Sequence, residues 1–326
     1  MPAVYPAPDG PPSPRRSRCP SLALTLSIRL GILVLSALLP LPPVHANPVT
    51  ARALGMGNAF TAVAEGFHAL YWNPAGLAVN GYELSAGLGG LALPRIGEVI
   101  DTFEAGNPQA LTASLETFAG IRLGQAAIGA ALEAETGQGD PDLQVLDWYG
   151  IGVGFPLTPP EGWSFLSVGM TLRHLAQRTA RSVASSIELS PARQAERLDL
   201  GVLAEPQQGL RVGLTLRDVW TSDVAPDALE PSESRVGIAY QPQGWSAGLR
   251  ADLSTEGTLS YGVEWPVDAR ELLKLRLGQQ LVPGMEVMTT AGAGLHLGPL
   301  RLDVAAGLTR LDPEATRVRA DLSVQF

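Results

Sequence analysis

The sequence predicts an all-β protein: a transmembrane antiparallel β-barrel of about fourteen strands, with an N-terminal plug segment in its lumen. Three observations predict it. Hydrophobicity alternates with period two over most of the chain. One face of most alternating segments carries Arg, Asp, Glu and Gly. Short Gly- or Pro-bearing turns alternate with connections that include the long ones. Charged residues make up only 17% of the chain, below the usual share in soluble domains. Just one stretch is long and apolar enough to suggest a spanning helix, so the remainder would cross a membrane with strands.

That stretch opens the chain. Arg15, Arg16 and Arg18 precede an apolar core at Leu30 to Leu39, and Val44-His45-Ala46 offers a small-residue cleavage site before Asn47. Residues 1–46 therefore read as a secretory signal. A retained anchor is the competing reading, but Arg29 leaves the core short for a span. Cleavage after Ala46 removes Cys19, the single cysteine, and with it any disulfide or thiolate chemistry. It also removes four Arg and Asp9, leaving 19 − 31 = −12 over 280 residues. A chain this acidic is not built to bind nucleic acid.

Residues 47–80 form the next unit and do not alternate. Ala51 to Glu65 is small, Gly-rich and nearly uncharged. Glu65 to Trp72 can form a short helix, and Asn73-Pro74-Ala75 reads as a turn. Such a segment suits close packing inside a wide barrel.

Residues 81–326 carry the strands. Alternating runs fall at 82–91, 114–123, 125–135, 143–156, 163–177, 195–205, 210–220, 234–241, 245–254, 258–266, 272–281, 287–297, 300–310 and 315–326. Fourteen is even, as a closed bacterial barrel requires, and most runs have the roughly 9–11 residues that cross a bilayer at a tilt. A soluble sandwich is the competing fold, but it leaves the charged face of nearly every strand unexplained. Trp163, Trp220, Trp245 and Trp265 lie near strand ends, where interfacial aromatics belong, while Trp148 lies deeper. The last run places Leu322, Val324 and Phe326 on its apolar face. That pattern resembles the terminal strand of outer-membrane proteins, which the barrel-assembly machinery reads as an assembly signal.

The polar face predicts a lumen row that includes Arg173, Arg211, Arg217, Arg250, Asp252, Arg301, Asp303, Arg319 and Asp321, with Arg122, Arg197, Arg235, Arg276, Asp199 and Glu264. A selective polar channel would use such a row. So would cross-strand ion pairs filling the barrel, and the mixed signs suit pairing better than a single-sign filter. The loop at 92–113 spaces Leu93, Ile96, Val99, Ile100, Phe103 and Leu111 as a short amphipathic helix at the outer rim. His68, His174 and His296 lack metal-ligand spacing, no Gly-x-Ser-x-Gly is present, and Gly55-x-Gly57 follows no βαβ strand. The sequence predicts no catalytic residue, no metal and no cofactor.

The segment ALGMGNAFTAVAEGFHALYWNPAGLA, with Gly55, Gly57 and Phe60 and then Asn73, Pro74 and Ala75, resembles the N-terminal region of PorV/PorQ-like proteins. These stand with the long-chain fatty-acid transporter (FadL) group of outer-membrane barrels. The resemblance covers about residues 51–80, and the rest of the chain supports it by pattern. It implies fourteen strands, an N-terminal hatch at those six residues, and residence in the bacterial outer membrane. The chain departs from the family pattern at Asn58, where a second Gly is common, and at Glu65-Gly66, where two acidic or amide residues are. The implied partners are outer-membrane lipid, the assembly machinery, and a hydrophobic ligand or a secretion-system protein. The resemblance implies two functions: passive uptake of hydrophobic small molecules, and protein secretion or surface attachment without transport; a lipid-embedded scaffold without transport is a third reading. A polar lumen and short outer loops count against an oily conduit for large ligands.

Overall fold

A polypeptide that alternates apolar and polar residues across one sheet must bury or solvate two unlike faces, and closing the sheet on itself does both while leaving no edge. The computed structural model describes residues 50–91, 113–136, 143–183, 186–222, 233–285, 287–309 and 316–326. The expected signal at 1–46 and the rim helix at 92–113, from Leu93 to Leu111, lie outside the described residues apart from the loop's final residue.

The strands are β1 (Tyr82–Leu91), β2 (Ala113–Leu123), β3 (Ala126–Thr136), β4 (Leu143–Pro156), β5 (Phe165–Val183), β6 (Ser186–Leu189), β7 (Arg193–Gln207) and β8 (Leu210–Thr221). They continue as β9 (Arg235–Tyr240), β10 (Gly248–Ser254), β11 (Leu259–Pro266), β12 (Leu273–Leu281), β13 (Met288–Leu297), β14 (Leu300–Thr309) and β15 (Arg317–Gln325). Every strand except β6 pairs antiparallel with its two neighbours, and β1 closes the ring against β15 in the register Leu84↔Val324 and Ala86↔Leu322. The result is a closed fourteen-stranded antiparallel barrel. The fifteenth strand, β6, pairs only with the far end of β5, from Ala180↔Leu189 to Val183↔Ser186. The sequence reading ended that strand at Gln177 and treated 178–194 as loop. Instead β5 stays paired with β4 as far as Ala180 and forms a hairpin with β6, so backbone pairing continues past the membrane-spanning length.

The alternation is visible strand by strand. In β9, Arg235, Gly237 and Ala239 are buried while Val236, Ile238 and Tyr240 are exposed. Leu84, Ile128, Leu249, Leu277, Leu308 and Leu322 belong to the same outward apolar face. An apolar surface of this extent on every side of a closed barrel faces lipid, not water. The barrel is therefore a transmembrane one of the bacterial outer-membrane type. Tyr82, Phe155, Trp163, Tyr240, Trp245, Trp265 and Phe326 are all exposed at the end that bears the short turns, with Trp220 exposed at the other end. By the general rule for these barrels the short-turn end is periplasmic. Three of its turns put Gly124, Gly209 and Gly298 at positive φ (65°, 79° and 61°), where side chains are disfavoured. Phe326 stacks on Tyr82 with ring centroids 6.2 Å apart, and its N–H donates to the Tyr82 carbonyl at 3.1 Å. Trp148 is 6% exposed and turns inward, so it is no girdle residue.

This inside–outside division predicts which tryptophans meet lipid. In bilayers carrying brominated acyl chains, single-Trp variants retaining Trp163, Trp220, Trp245 or Trp265 should be strongly quenched, and those retaining Trp72 or Trp148 should not. Equal quenching of all six would contradict the assigned faces.

Candidate functional site

Residues 50–78 contain little regular structure. Thr50 caps α1 (Ala51–Gly55) by accepting the Arg52 N–H at 3.2 Å. A 3-10 turn at Gly66–His68 leads into α2 (Ala69–Trp72), and Asn73 caps a second 3-10 turn at Pro74–Ala78. The sequence reading placed a helix at Glu65 to Trp72 and a turn at Asn73, and both are present in this broken form; α1 was not foreseen. Short helices leave most of their backbone groups without internal partners. Those groups are nonetheless buried, since every residue from Thr50 to Ala78 except Arg52 and Glu65 is in the buried class.

The wall makes this burial feasible in two ways. First, its inward face carries a belt of glycines, several directly paired across strands: Gly120↔Gly129↔Gly150, Gly169↔Gly201, Gly213↔Gly237 and Gly262↔Gly278. The inner segment lies where their side chains would be. A Cβ on Gly169 would sit 2.2 Å from the Pro74 carbonyl carbon, and one on Gly201 2.2 Å from Asn73 Oδ1. One on Gly213 would be 2.4 Å from the Thr61 oxygen, and one on Gly278 2.2 Å from the Met56 carbonyl carbon. Second, wall side chains partner the segment's orphan backbone groups. Asp252 accepts the N–H of Phe60 and Thr61 at 2.9 and 2.8 Å, Thr290 that of Gly57 at 2.9 Å, Glu83 that of Phe67 at 3.1 Å, and Asp321 that of Ala51. Ser167, Thr171 and Thr215 donate to the carbonyls of Ala75, Leu70 and Trp72, and Arg217 to that of Tyr71.

All six residues singled out in the 51–80 motif lie at these contacts. Asn73 is the most connected. Its amide donates to Thr61 and Val202 carbonyls, both at 3.0 Å, and accepts the Ala75 N–H at 3.1 Å. Pro74 and Ala75 pack on Gly169 and Gly201. Gly55 abuts Gly292 and Arg276, and Gly57 adopts φ 64° against the backbone of Gln279. Phe60 packs edge-on to Trp72 at 5.8 Å. Asn58, the departure from a second glycine, has φ 68°, a conformation Asn tolerates better than most residues. Its amide donates to Gln280 at 3.2 Å.

The charged row faces inward and pairs internally. Arg173 bridges Asp199 (2.7 Å) and Asp218 (3.0 Å), and Arg197 also reaches Asp218 (2.8 Å). Arg276, fully buried, bridges Glu264 (2.8 Å) and Asp303 (2.6 Å), while Arg250 approaches Glu264 at 3.5 Å. Arg319 pairs with Glu116 and Asp321. Arg217 covers the Tyr71 ring at 4.1 Å and Arg235 the Trp72 ring at 4.8 Å. Arg211 and Arg301 lie nearer the periplasmic mouth, beside Glu205 (3.0 Å) and Glu65 (3.9 Å). The acidic partners of these arginines thus come from the wall and from Glu65 of the inner segment.

Two features were missed. Asp218 sits at a β-bulge, with φ 53° and a register shift between β7 and β8, which turns it in toward Arg173 and Arg197 against the simple alternation. More consequentially, the lumen is not uniformly polar. Along β2 to β5 it carries Phe118, Leu146, Trp148 and Leu175, which pack with Phe67, Leu70 and Tyr71 of the inner segment. Phe67 stacks on Phe118 at 5.7 Å, and Tyr71 lies 6.0 Å from Trp148. The expectation of a polar lumen is corrected accordingly: one side is ionic and the other is apolar and aromatic.

The histidines are separate. His68 is buried against Phe118, His296 stands beside Arg301 in register, and His174 lies on the outward face with Nδ1 2.6 Å from Glu196. Among the described residues, no group of three His, Cys, Asp or Glu could hold a metal ion.

The barrel is similar to those of solved transporters. It superposes on the Ralstonia pickettii toluene transporter TbuX with a TM-score of 0.57 at 14% identity, covering 86% of this chain and 97% of that one. For the Pseudomonas putida toluene transporter TodX the values are 0.55, 12%, 86% and 98%, and for a Pseudomonas aeruginosa FadL homologue 0.54, 9%, 87% and 99%. No protein-family model and no curated protein sequence matches the chain. At these identities the likeness establishes the fold alone: a closed fourteen-stranded antiparallel barrel like those of these three proteins.

The seating of the inner segment predicts two outcomes. Asn73→Ala removes three buried hydrogen bonds and should destabilise the segment by about 2–4 kcal/mol, at about 1 kcal/mol per bond plus the desolvation of orphaned groups. Gly169→Leu should expel it. In both variants a protease should cut within 50–78 while the barrel keeps its heat-modifiable gel migration. Protection equal to wild type would refute the seating.

Proposed function

We propose that the chain mediates passive uptake of hydrophobic small molecules across the outer membrane, with residues 47–80 as its hatch. The observation that carries this reading is the apolar side of the lumen, which lies against the inner segment in a barrel of FadL type. A hydrophobic solute entering at the outer mouth would follow Phe118, Leu146, Trp148 and Leu175 and meet Phe67, Leu70 and Tyr71 on the hatch. The ionic side, closed by its own pairs, would act as a rigid wall. Passage then requires local displacement of the hatch. Its two ends are the best anchored, around Ala51–Thr61 and Asn73–Ala75. Phe67 is fixed by its stack on Phe118 and by Glu83 at its N–H, whereas the preceding turn at Val63–Glu65 reaches a wall charge only through Glu65 and Arg301 at 3.9 Å among the described ion pairs. Local opening of such a weakly held piece costs far less than opening the barrel.

The PorV/PorQ-like resemblance of the hatch supports placing the chain in the wider FadL group. The alternative of a secretion or attachment partner gains no support, since none of the neighbours described above has that role. The wall would contact outer-membrane lipid, and Leu322, Val324 and Phe326 would present the closing strand to the assembly machinery.

Toluene uptake into vesicles with a lipopolysaccharide outer leaflet tests the reading. Wild-type protein should accelerate uptake over protein-free vesicles. Phe118→Asp should slow it by about tenfold or more, since a charge in an apolar path costs well over the 1.4 kcal/mol that a factor of ten represents. Uptake by wild type no faster than in protein-free vesicles would refute it.

A further inference from the structure

Below the inner segment, at the short-turn end, lie two adjoining cavities of about 270 and 600 Å³ that share Glu65 and Arg211. Together they are lined by six cationic side chains, Arg52, Arg122, Arg211, Arg250, Lys274 and Arg301, against four acidic ones, Glu65, Glu83, Glu205 and Glu264. A local excess of positive charge stands out on a chain whose formal net charge is −9.

The acids there are mostly engaged. Glu264 serves Arg276 and Arg52, Glu205 serves Arg211, and Glu83 accepts the Phe67 N–H. The cations are less completely used. Arg122 is 6% exposed, gives Nε to the Gly124 carbonyl at 3.2 Å, and has no hydrogen-bond partner for Nη2. Nε of Arg250 also lacks one. Arg301 has only the distant Glu65 carboxylate at 3.9 Å among the described ion pairs. Glu65 is thus the anion that the vestibule supplies to itself. Its side chain is 45% exposed, so solvent reaches it, and it lies on the turn of the inner segment that joins Val63 to Phe67.

We propose that the vestibule binds an external oxyanion, of phosphate or carboxylate type, on Arg52 and Arg301 in place of Glu65, and that this exchange releases the turn at Glu65 from Arg301 on the wall. Guanidinium forks recognise planar or tetrahedral oxyanions by paired N–H donors. The Glu65–Arg301 pair, solvent-reached and 3.9 Å long, is weak enough to be displaced. Arg52 gives Nε and Nη2 to Glu264 and Nη1 to Glu65, so there an incoming oxyanion exchanges one hydrogen bond for another. The hatch-opening consequence rests on the uptake reading above; the binding site does not. Because Tyr82 and Phe326 border the larger cavity, the oxyanion has two sources, a free periplasmic solute or the headgroup of an inner-leaflet lipid.

The test is calorimetric titration of the full-length folded barrel with inorganic phosphate, with hydrogen exchange read at residues 63–67. Wild type should bind saturably. Arg301→Gln should weaken binding by about tenfold or more, the loss of a charge-assisted fork. Glu65→Gln, which removes the internal competitor, should tighten it severalfold and speed exchange at 63–67. Heat-modifiable migration verifies that both variants are folded. If phosphate fails but phosphatidylglycerol nanodiscs speed exchange in an Arg301-dependent way, the headgroup is the source. Neither response, or an affinity indifferent to both substitutions, overturns the proposal. Toluene uptake lost while phosphate binding persists would sink the transport reading and leave this site intact; the reverse would do the opposite.

Discussion

Backbone-to-backbone approach between the inner segment and the barrel wall is the constraint on which the rest depends. At Gly169, Gly201, Gly213 and Gly278 a single Cβ would come within 2.4 Å of the segment. No rotamer change relieves such a clash, because the atoms met are backbone or the capping amide of Asn73. The glycines therefore decide whether the segment fits. Once it lies that close, its unpaired N–H and C=O groups leave water, and each must find a partner on the wall. Asp252, Asp321, Glu83, Thr171, Thr215, Thr290 and Ser167 fill that need.

The same constraint organises charge. Asp321, which accepts the Ala51 N–H, sits in a low-dielectric interior where Arg319 offsets its charge, and Glu264 and Asp303 are likewise offset by Arg276. Where the segment instead presents Phe67, Leu70 and Tyr71, the facing wall answers with Phe118, Leu146, Trp148 and Leu175. A lumen split into an ionic and an apolar side thus follows from what the segment shows to each part of the wall.

Strand positions were legible because lipid on one side and protein on the other impose period two on any wall. The fourteen runs coincide with the fourteen barrel strands to within three residues at most ends, and Arg173, Asp252, Arg276 and Asp321 could be assigned inward from parity alone. Alternation states which face a residue occupies, not what lies across from it. It could not show that the inward glycines match Pro74, Asn73 and Met56, or that Trp148 meets Tyr71. A bulge breaks the parity rule outright, which hid Asp218. The extension of β5 to Val183 was hidden because a hairpin outside the membrane has no lipid face to enforce the pattern. Asn73-Pro74-Ala75 stood out in the sequence as a turn, and what it packs against became visible only with Gly169 and Gly201 beside it.

If the glycine-seated segment is what closes the barrel, ion conductance across planar bilayers reports on it directly. Wild-type protein should carry no steady current, and protein lacking residues 50–78 should carry a large, steady one through the exposed Arg and Asp lining. A wild-type barrel that conducts as well as the deletion would contradict the account.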